Sequence, residues 1–317
     1  MNPALPPPFK AAADALLEGV SRKALAGHAQ AISGHYRSGR SSAAAVTGAA
    51  ETLAYLIARL PATYAVAAAA LAQIHAAVPD FAPVSLLDVG AGPATASWAA
   101  HETWPALTAF TLTDSNAHFL DLARKLAPSR DAAFLARDLT RDELPKADLV
   151  LASFVLAEIA QASQVPVVEK LFAAARDVLV LIEPGTPQGF ERIRAARAVL
   201  IGQGAHVLGP CTHANACPMV APDWCHFSQR LPRSRDHMQA KSASVPYEDE
   251  RYAWVAVSRT RRSAFDGLAR VLAPPHATKP GIELKLCTPN GLQARFVAKR
   301  DAGAFAGVRK ADWGDVV

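Results

Sequence analysis

The segment Leu86–Ala100, LLDVGAGPATASWAA, constrains this chain more than any other. An apolar run, Val84–Val89, carries one acid at Asp88 and breaks at Gly90-Ala91-Gly92. A helix-compatible run, Ala94–Ala100, follows. Strand, glycine turn and helix start make the opening unit of an α/β domain with helices on a parallel sheet. Gly90 and Gly92 leave out the Cβ atoms that would hold a ligand away from the main chain. The free N–H groups at the helix start face whatever occupies the turn.

A dinucleotide fingerprint would need a third glycine where Thr95 stands. An acid two residues before G-x-G instead resembles class I S-adenosylmethionine (SAM) methyltransferases. Asp88 is then expected to face the cationic methionine end, with Gly90, Ala91 and Gly92 as the cradle. A glycine turn without a ligand is the competing reading. Two further acids favour the first one. Asp114 closes the second expected strand, Leu107–Thr113, where a carboxylate can accept ribose hydroxyls. Asp138 follows the third, Ala132–Ala136, where such enzymes place a group against the adenine amine.

Elements alternate from Val84 onward: strand Asp148–Ala152, a helix from about Ser163 to Arg176, strand Val178–Ile182, and a helix at about Gly189–Ile201. The expected fold is α/β, a class I SAM-methyltransferase (Rossmann-like) doubly wound sheet. Before it, Phe9–Ser33 and Ala43–Arg59 show helical spacing around a Ser/Gly/Arg break at Ser33–Ser42, and Pro61 opens a third helix, Ala62–Ala77. The expected organisation is therefore an all-helical N-terminal layer (1–80), a SAM-binding core (81–204) and a cysteine-bearing, β-rich extension with the last core strands (205–317). In the last part, Gly281–Cys287 and Leu292–Lys299 flank Thr288-Pro289-Asn290-Gly291, a strong hairpin turn.

Charge is uneven along the 317 residues. Residues 1–80 carry 6 basic and 4 acidic groups, 81–204 carry 11 and 14, and 205–317 carry 16 and 10. A basic C-terminal third suits contact with phosphate. No apolar run reaches the ~18–20 residues of a membrane span and no secretory signal is evident, so a cytoplasmic protein without membrane or DNA partners is expected. Amino-methylating enzymes of this class often carry Asn/Asp-Pro-Pro-aromatic after the fourth strand; here Ala152-Ser153-Phe154-Val155 stands there. No base or nucleophile can be named, although Glu158 and Glu183 lie near that edge.

All four cysteines fall in the last third: Cys211, Cys217, Cys225 and Cys287. Their segment is rich in proline and poor in periodicity, which suggests a cross-link. Four thiolates on one metal centre is the expectation, and spacing leaves zinc and a 4Fe–4S cluster open. His213 and His226 are read as lying outside the ligand set.

Several stretches together resemble one family: Arg59-Leu60-Pro61-Ala62-Thr63-Tyr64-Ala65, LLDVGAGPATASWAA, Glu183–Gly189, the C-x5-CP…WCHFSQR block and Leu286-Cys287-Thr288-Pro289-Asn290-Gly291. The chain is similar to methyltransferase-like proteins associated with the mitochondrial-type small ribosomal subunit, of which the shorter bacterial branch lacks a long targeting extension. One departure is Thr212, where relatives often have proline after the first cysteine. The resemblance implies SAM binding, a role in small-subunit assembly or translation, and a 4Fe–4S cluster on Cys211, Cys217, Cys225 and Cys287. Three functions follow as expectations. The first is a SAM-dependent methyltransferase acting on the small subunit, with rRNA held by the basic C-terminal third. The second is a non-catalytic assembly factor that keeps the fold. The third is a zinc-stabilised RNA methyltransferase.

Overall fold

A computed structural model of the chain describes residues 3–37, 46–240 and 243–317. Four helices come first: α1 (Pro7–Leu16), α2 (Arg22–Arg37), α3 (Ala49–Ala58) and α4 (Leu60–Ala77). The single helix expected over Phe9–Ser33 is two, because Gly19 takes φ +71° in the left-handed region between them. α2 runs through Arg37, past the start of the break expected from Ser33, and the rest of that break, with the expected helix start at Ala43, lies outside the described residues. Pro61 sits in the first turn of α4, where its missing N–H costs nothing. Among the described residues, α4 alone is long and apolar enough to cross a membrane by length and composition, and two-thirds of it is buried in this fold.

The alternating part is β1 (Ser85–Val89), α5 (Thr95–Thr103), β2 (Ala109–Asp114), α6 (Ala117–Leu126), β3 (Ala133–Ala136), β4 (Ala147–Ser153), α7 (Gln161–Ala174), β5 (Ala175–Pro184) and α8 (Pro187–Gly202). Then come β6 (His206–Gly209), β7 (Phe227–Pro232), α9 (Arg235–Ala240) and β8 (Tyr247–Ser258). The main sheet runs β3-β2-β1-β4-β5-β8-β6, and β7 also pairs with β8. The first five are parallel, while β8 is antiparallel to β5, β6 and β7. Chain order reverses between β1 and β4, so their carboxyl ends open a crevice.

Successive residues of a strand point to opposite faces, and the core divides accordingly. Leu86, Leu149, Val178 and Val180 join α1 to α6 in one buried cluster. Leu87, Val150, Leu179 and Leu181 join α7 and α8 in another. The helical layer expected at the N-terminus thus covers one face of the sheet. A small second sheet follows: β9 (Arg270–Val271), β10 (His276–Ala277), β11 (Gly281–Thr288) and β12 (Gly291–Ala298), with α10 (Ala302–Val308) packed against it. The β11–β12 hairpin turns at Pro289-Asn290, with Gly291 at φ +107°.

The acidic stretch Glu248–Glu250 is strand because each acid meets a cation. Glu248 lies against Arg233 and His237, and Asp249 against Arg230. Glu250 takes the buried Arg59 guanidinium through two contacts, at 3.0 and 3.4 Å. That pair ties the α3–α4 junction to the sheet.

Candidate functional site

The glycine turn after β1 is built from three left-handed residues, Gly90 (φ +65°), Gly92 (φ +51°) and Ala94 (φ +62°). A Cβ on Gly90 would lie 2.4 Å from Val155 Cγ2, so the loop after β4 closes onto bare main chain. Above Gly92 the space is open. Gly92 N–H donates to Asp114 Oδ2 at 3.0 Å, and Asn116 N–H donates to Asp114 Oδ1 at 2.8 Å. The acid that ends β2 therefore fixes the turn that ends β1. Burial pushes the Asp114 carboxyl up from its ordinary range, against the pull of these N–H groups.

Asp88 points elsewhere. It is 1% exposed, and its Oδ2 accepts from Ser97 N at 3.0 Å and Ser97 Oγ at 2.7 Å. It anchors α5 from within and does not line the cleft. Burial, with Asp114 adding repulsion, pushes its carboxyl from 3.8 up to about 7. The folded chain then keeps a proton that the unfolded chain releases. Stability from this proton is complete below the ordinary value of 3.8 and is lost as pH rises through about 7. Asp88→Asn keeps an acceptor for Ser97 without the titration. Its urea midpoint is expected to fall less than the wild type's between about pH 5 and about pH 8. An equal fall in both proteins would show that Asp88 holds no such proton.

A cleft of about 360 Å³ opens along the carboxyl ends of β1, β2 and β4. Gly90, Gly92, Asp114 and Asp138 line it together, whereas Asp88 and Ala91 do not. Asp138 sits at its solvent side, where Thr140 donates through N and Oγ1 and holds the carboxyl below its ordinary range. Ser153 and Phe154, from the run after the expected fourth strand, line the cleft too, and so do Tyr55 and Phe119, which sequence reasoning did not mark. Tyr55 comes from α3 and packs edge-on against Phe119, ring centres 5.0 Å apart. Burial pushes its hydroxyl up to about 12. Phe154 holds φ +63°, an unfavourable value for a side chain of this size, of a kind that clusters at binding sites. Ser153 Oγ is buried in the wall without a hydrogen-bond partner.

Glu183 is 1% exposed and absent from the cleft lining. Its Oε1 accepts from Leu156 N at 2.9 Å and its Oε2 from the Arg192 guanidinium at 3.2 Å. Burial pushes its carboxyl up to about 7. It pins the turn after β4 to β5.

The expected metal centre requires correction. Cys211, Cys217, Cys225 and Cys287 are free cysteines lining one apolar cavity with Phe190, Ile193 and Leu272. Among the described residues, however, no group of three or more His, Cys, Asp or Glu side chains is arranged to hold a metal ion. The 4Fe–4S cluster and its zinc alternative both fall on this finding. Two buried arginines order the segment instead. Arg197 donates to the carbonyls of His213 and Asn215, and Arg270 to those of Pro210 and Gly314.

Five parallel strands, an antiparallel neighbour, a glycine turn after β1 and an acid ending β2 define the SAM-dependent methyltransferase fold. Within that class the chain belongs to the Rsm22 family, whose model, "Mitochondrial small ribosomal subunit Rsm22", matches residues 49–317. It is 27% identical over 288 residues to the "Ribosome assembly protein METTL17, mitochondrial" of Homo sapiens, covering 84% of this chain and 62% of that protein. It is 24% identical over 328 residues to the "Rsm22-cox11 tandem protein 2, mitochondrial" of Schizosaccharomyces pombe, covering 84% of this chain and 43% of that protein. The chain thus spans less than two-thirds of the length of these relatives. Among solved structures, magnesium protoporphyrin IX methyltransferase from Synechocystis aligns at TM-score 0.41 and 14% identity, over 63% of this chain and 84% of that one. The cytoplasmic expectation is corrected here, since both relatives and the family are named as mitochondrial. Location depends on sorting, which the pattern of a folded core does not record.

Proposed function

We propose that this chain is an assembly factor of a mitochondrial-type small ribosomal subunit that keeps a SAM cleft without methyl-transfer machinery. The loop after β4 carries this reading. Where an acceptor would meet the donor, Val155 closes an apolar side chain over Gly90 and leaves no room even for a Cβ there, while Phe154 lines the cleft. Glu183, buried beneath that loop, is committed to Leu156 N and Arg192. Glu158 stands exposed at the rim.

The cleft itself fits SAM. Open main chain at Gly92, an acid with spare lone pairs at Asp114 and an unpartnered hydroxyl at Ser153 offer what a charged nucleoside donor needs. Gly92 would take the methionine end, Asp114 the ribose hydroxyls and Asp138 the adenine amine. When bound, SAM supplies an activated methyl group. The partner follows from the human relative's name as a ribosome assembly protein and from the basic surplus of residues 205–317. rRNA would be held there through its phosphates.

Small-subunit particles from a strain lacking the gene, mixed with the purified chain and tritiated SAM, test this. The chain is expected to sediment with the particles and to leave rRNA and protein unlabelled above the chain-free background. Stoichiometric labelling would make it an enzyme and end the factor reading. Failure to sediment would remove the partner.

A further inference from the structure

The cleft leaves the second sheet without a role, and one feature there is unusual. Phe296 on β12 is 50% exposed, and a Cβ on Gly281 of β11 would fall 2.2 Å from Val297 O and 2.6 Å from Phe296 Cζ. Glycine at this position lets the tip of the ring approach bare main chain, and half of the residue stays in solvent. β12 pairs only with β11 among the described strands, so ring and strand edge are both open.

The surroundings are cationic. Lys279 precedes Gly281 in the turn, and Lys299 and Arg300 follow β12, with Lys299 N–H donating to Pro280 O. All three are exposed, and no ion pair is found for them among the described residues. Two acids lie between residues 270 and 310. Glu283, opposite Phe296, contacts a His276 ring nitrogen at 3.2 Å, and Asp301 caps α10. An open aromatic face among unpaired cations matches a polyanion with free bases. Single-stranded nucleic acid has both; a duplex hides its base faces in the stack.

We propose that this hairpin docks an unpaired RNA segment, with one base stacked on Phe296 and the flanking phosphates on Lys279, Lys299 and Arg300. This deepens the assembly-factor reading and rests on it for the choice of RNA as the nucleic acid.

Fluorescence anisotropy of the full chain with labelled oligouridine of about twelve nucleotides, against duplex RNA of the same length, tests the proposal. Phe296→Ala is expected to weaken oligouridine binding about tenfold, to leave duplex binding and the unfolding temperature unchanged, and to be rescued by Phe296→Trp. Lys299→Gln is expected to lower the slope of log affinity against log salt by about one. Unchanged oligouridine binding in Phe296→Ala overturns the proposal, as does an equal loss on duplex. Loss of particle sedimentation with oligouridine binding intact also overturns it, by assigning the face to a protein. If Phe296→Ala binds oligouridine normally and still sediments with particles, the hairpin proposal fails alone. If the wild type binds oligouridine through Phe296 but never sediments, the assembly reading fails alone.

Discussion

Gly90→Ala is expected to weaken SAM binding by about 30-fold, roughly 2 kcal/mol. Two costs combine at this position. A Cβ is placed in the left-handed region at φ +65°, and it lies 2.4 Å from Val155 Cγ2. Val155 cannot yield cheaply, because it is 8% exposed and packed into the core that includes Leu156 and Phe190. Either the loop after β4 shifts or the turn does, and both line the cleft. The double variant Gly90→Ala, Val155→Ala relieves the contact and leaves the backbone cost, so part of the affinity should return. Calorimetric titration with S-adenosylhomocysteine reads both variants. Wild-type affinity in Gly90→Ala would mean that this turn does not hold the ligand.

Arg59→Met is expected to cost about 3–5 kcal/mol of folding stability, because Glu250 would remain buried and unpaired. Their side chains are 4% and 8% exposed, so water cannot take over the role of the guanidinium. The companion variant Arg59→Met, Glu250→Leu should recover most of the loss, since a hydrophobic pair carries no desolvation cost. Urea midpoints at unchanged slope give both numbers. The pair also bears on the site. It fastens the α3–α4 junction to β8, and α3 carries Tyr55 into the cleft. A loss below about 1 kcal/mol would show the pair to be effectively solvated.

The legible part of this structure is the part governed by local rules. The continuous apolar runs of β1 and β5, the glycine turn and the acids ending strands each follow from a few consecutive residues. The positions of Gly90, Gly92, Asp114 and Asp138 along one cleft follow from the parallel order of β1, β2 and β3. The inward turn of Asp88 does not, because it depends on Ser97, nine residues on, reaching back from the first turn of α5. Tyr55 enters the cleft from a helix that ends before the sheet begins, and no local spacing encodes that. The cysteine segment reads as needing a cross-link because it lacks periodicity. Its order comes from Arg197 and Arg270 donating to main-chain carbonyls, an interaction any sequence offers and none advertises. The strand at Glu248–Glu250 is hidden for the same reason, since the cations that meet it lie on other segments.

Equilibrium dialysis of the chain against tritiated SAM, with Asp114→Ala alongside, tests the account most directly. Asp114 both fixes Gly92 and faces the cleft, so the wild type should take up about one SAM per chain and the variant almost none. No uptake by the wild type at millimolar SAM, or equal uptake by both, would contradict a donor cleft at the carboxyl ends of these strands.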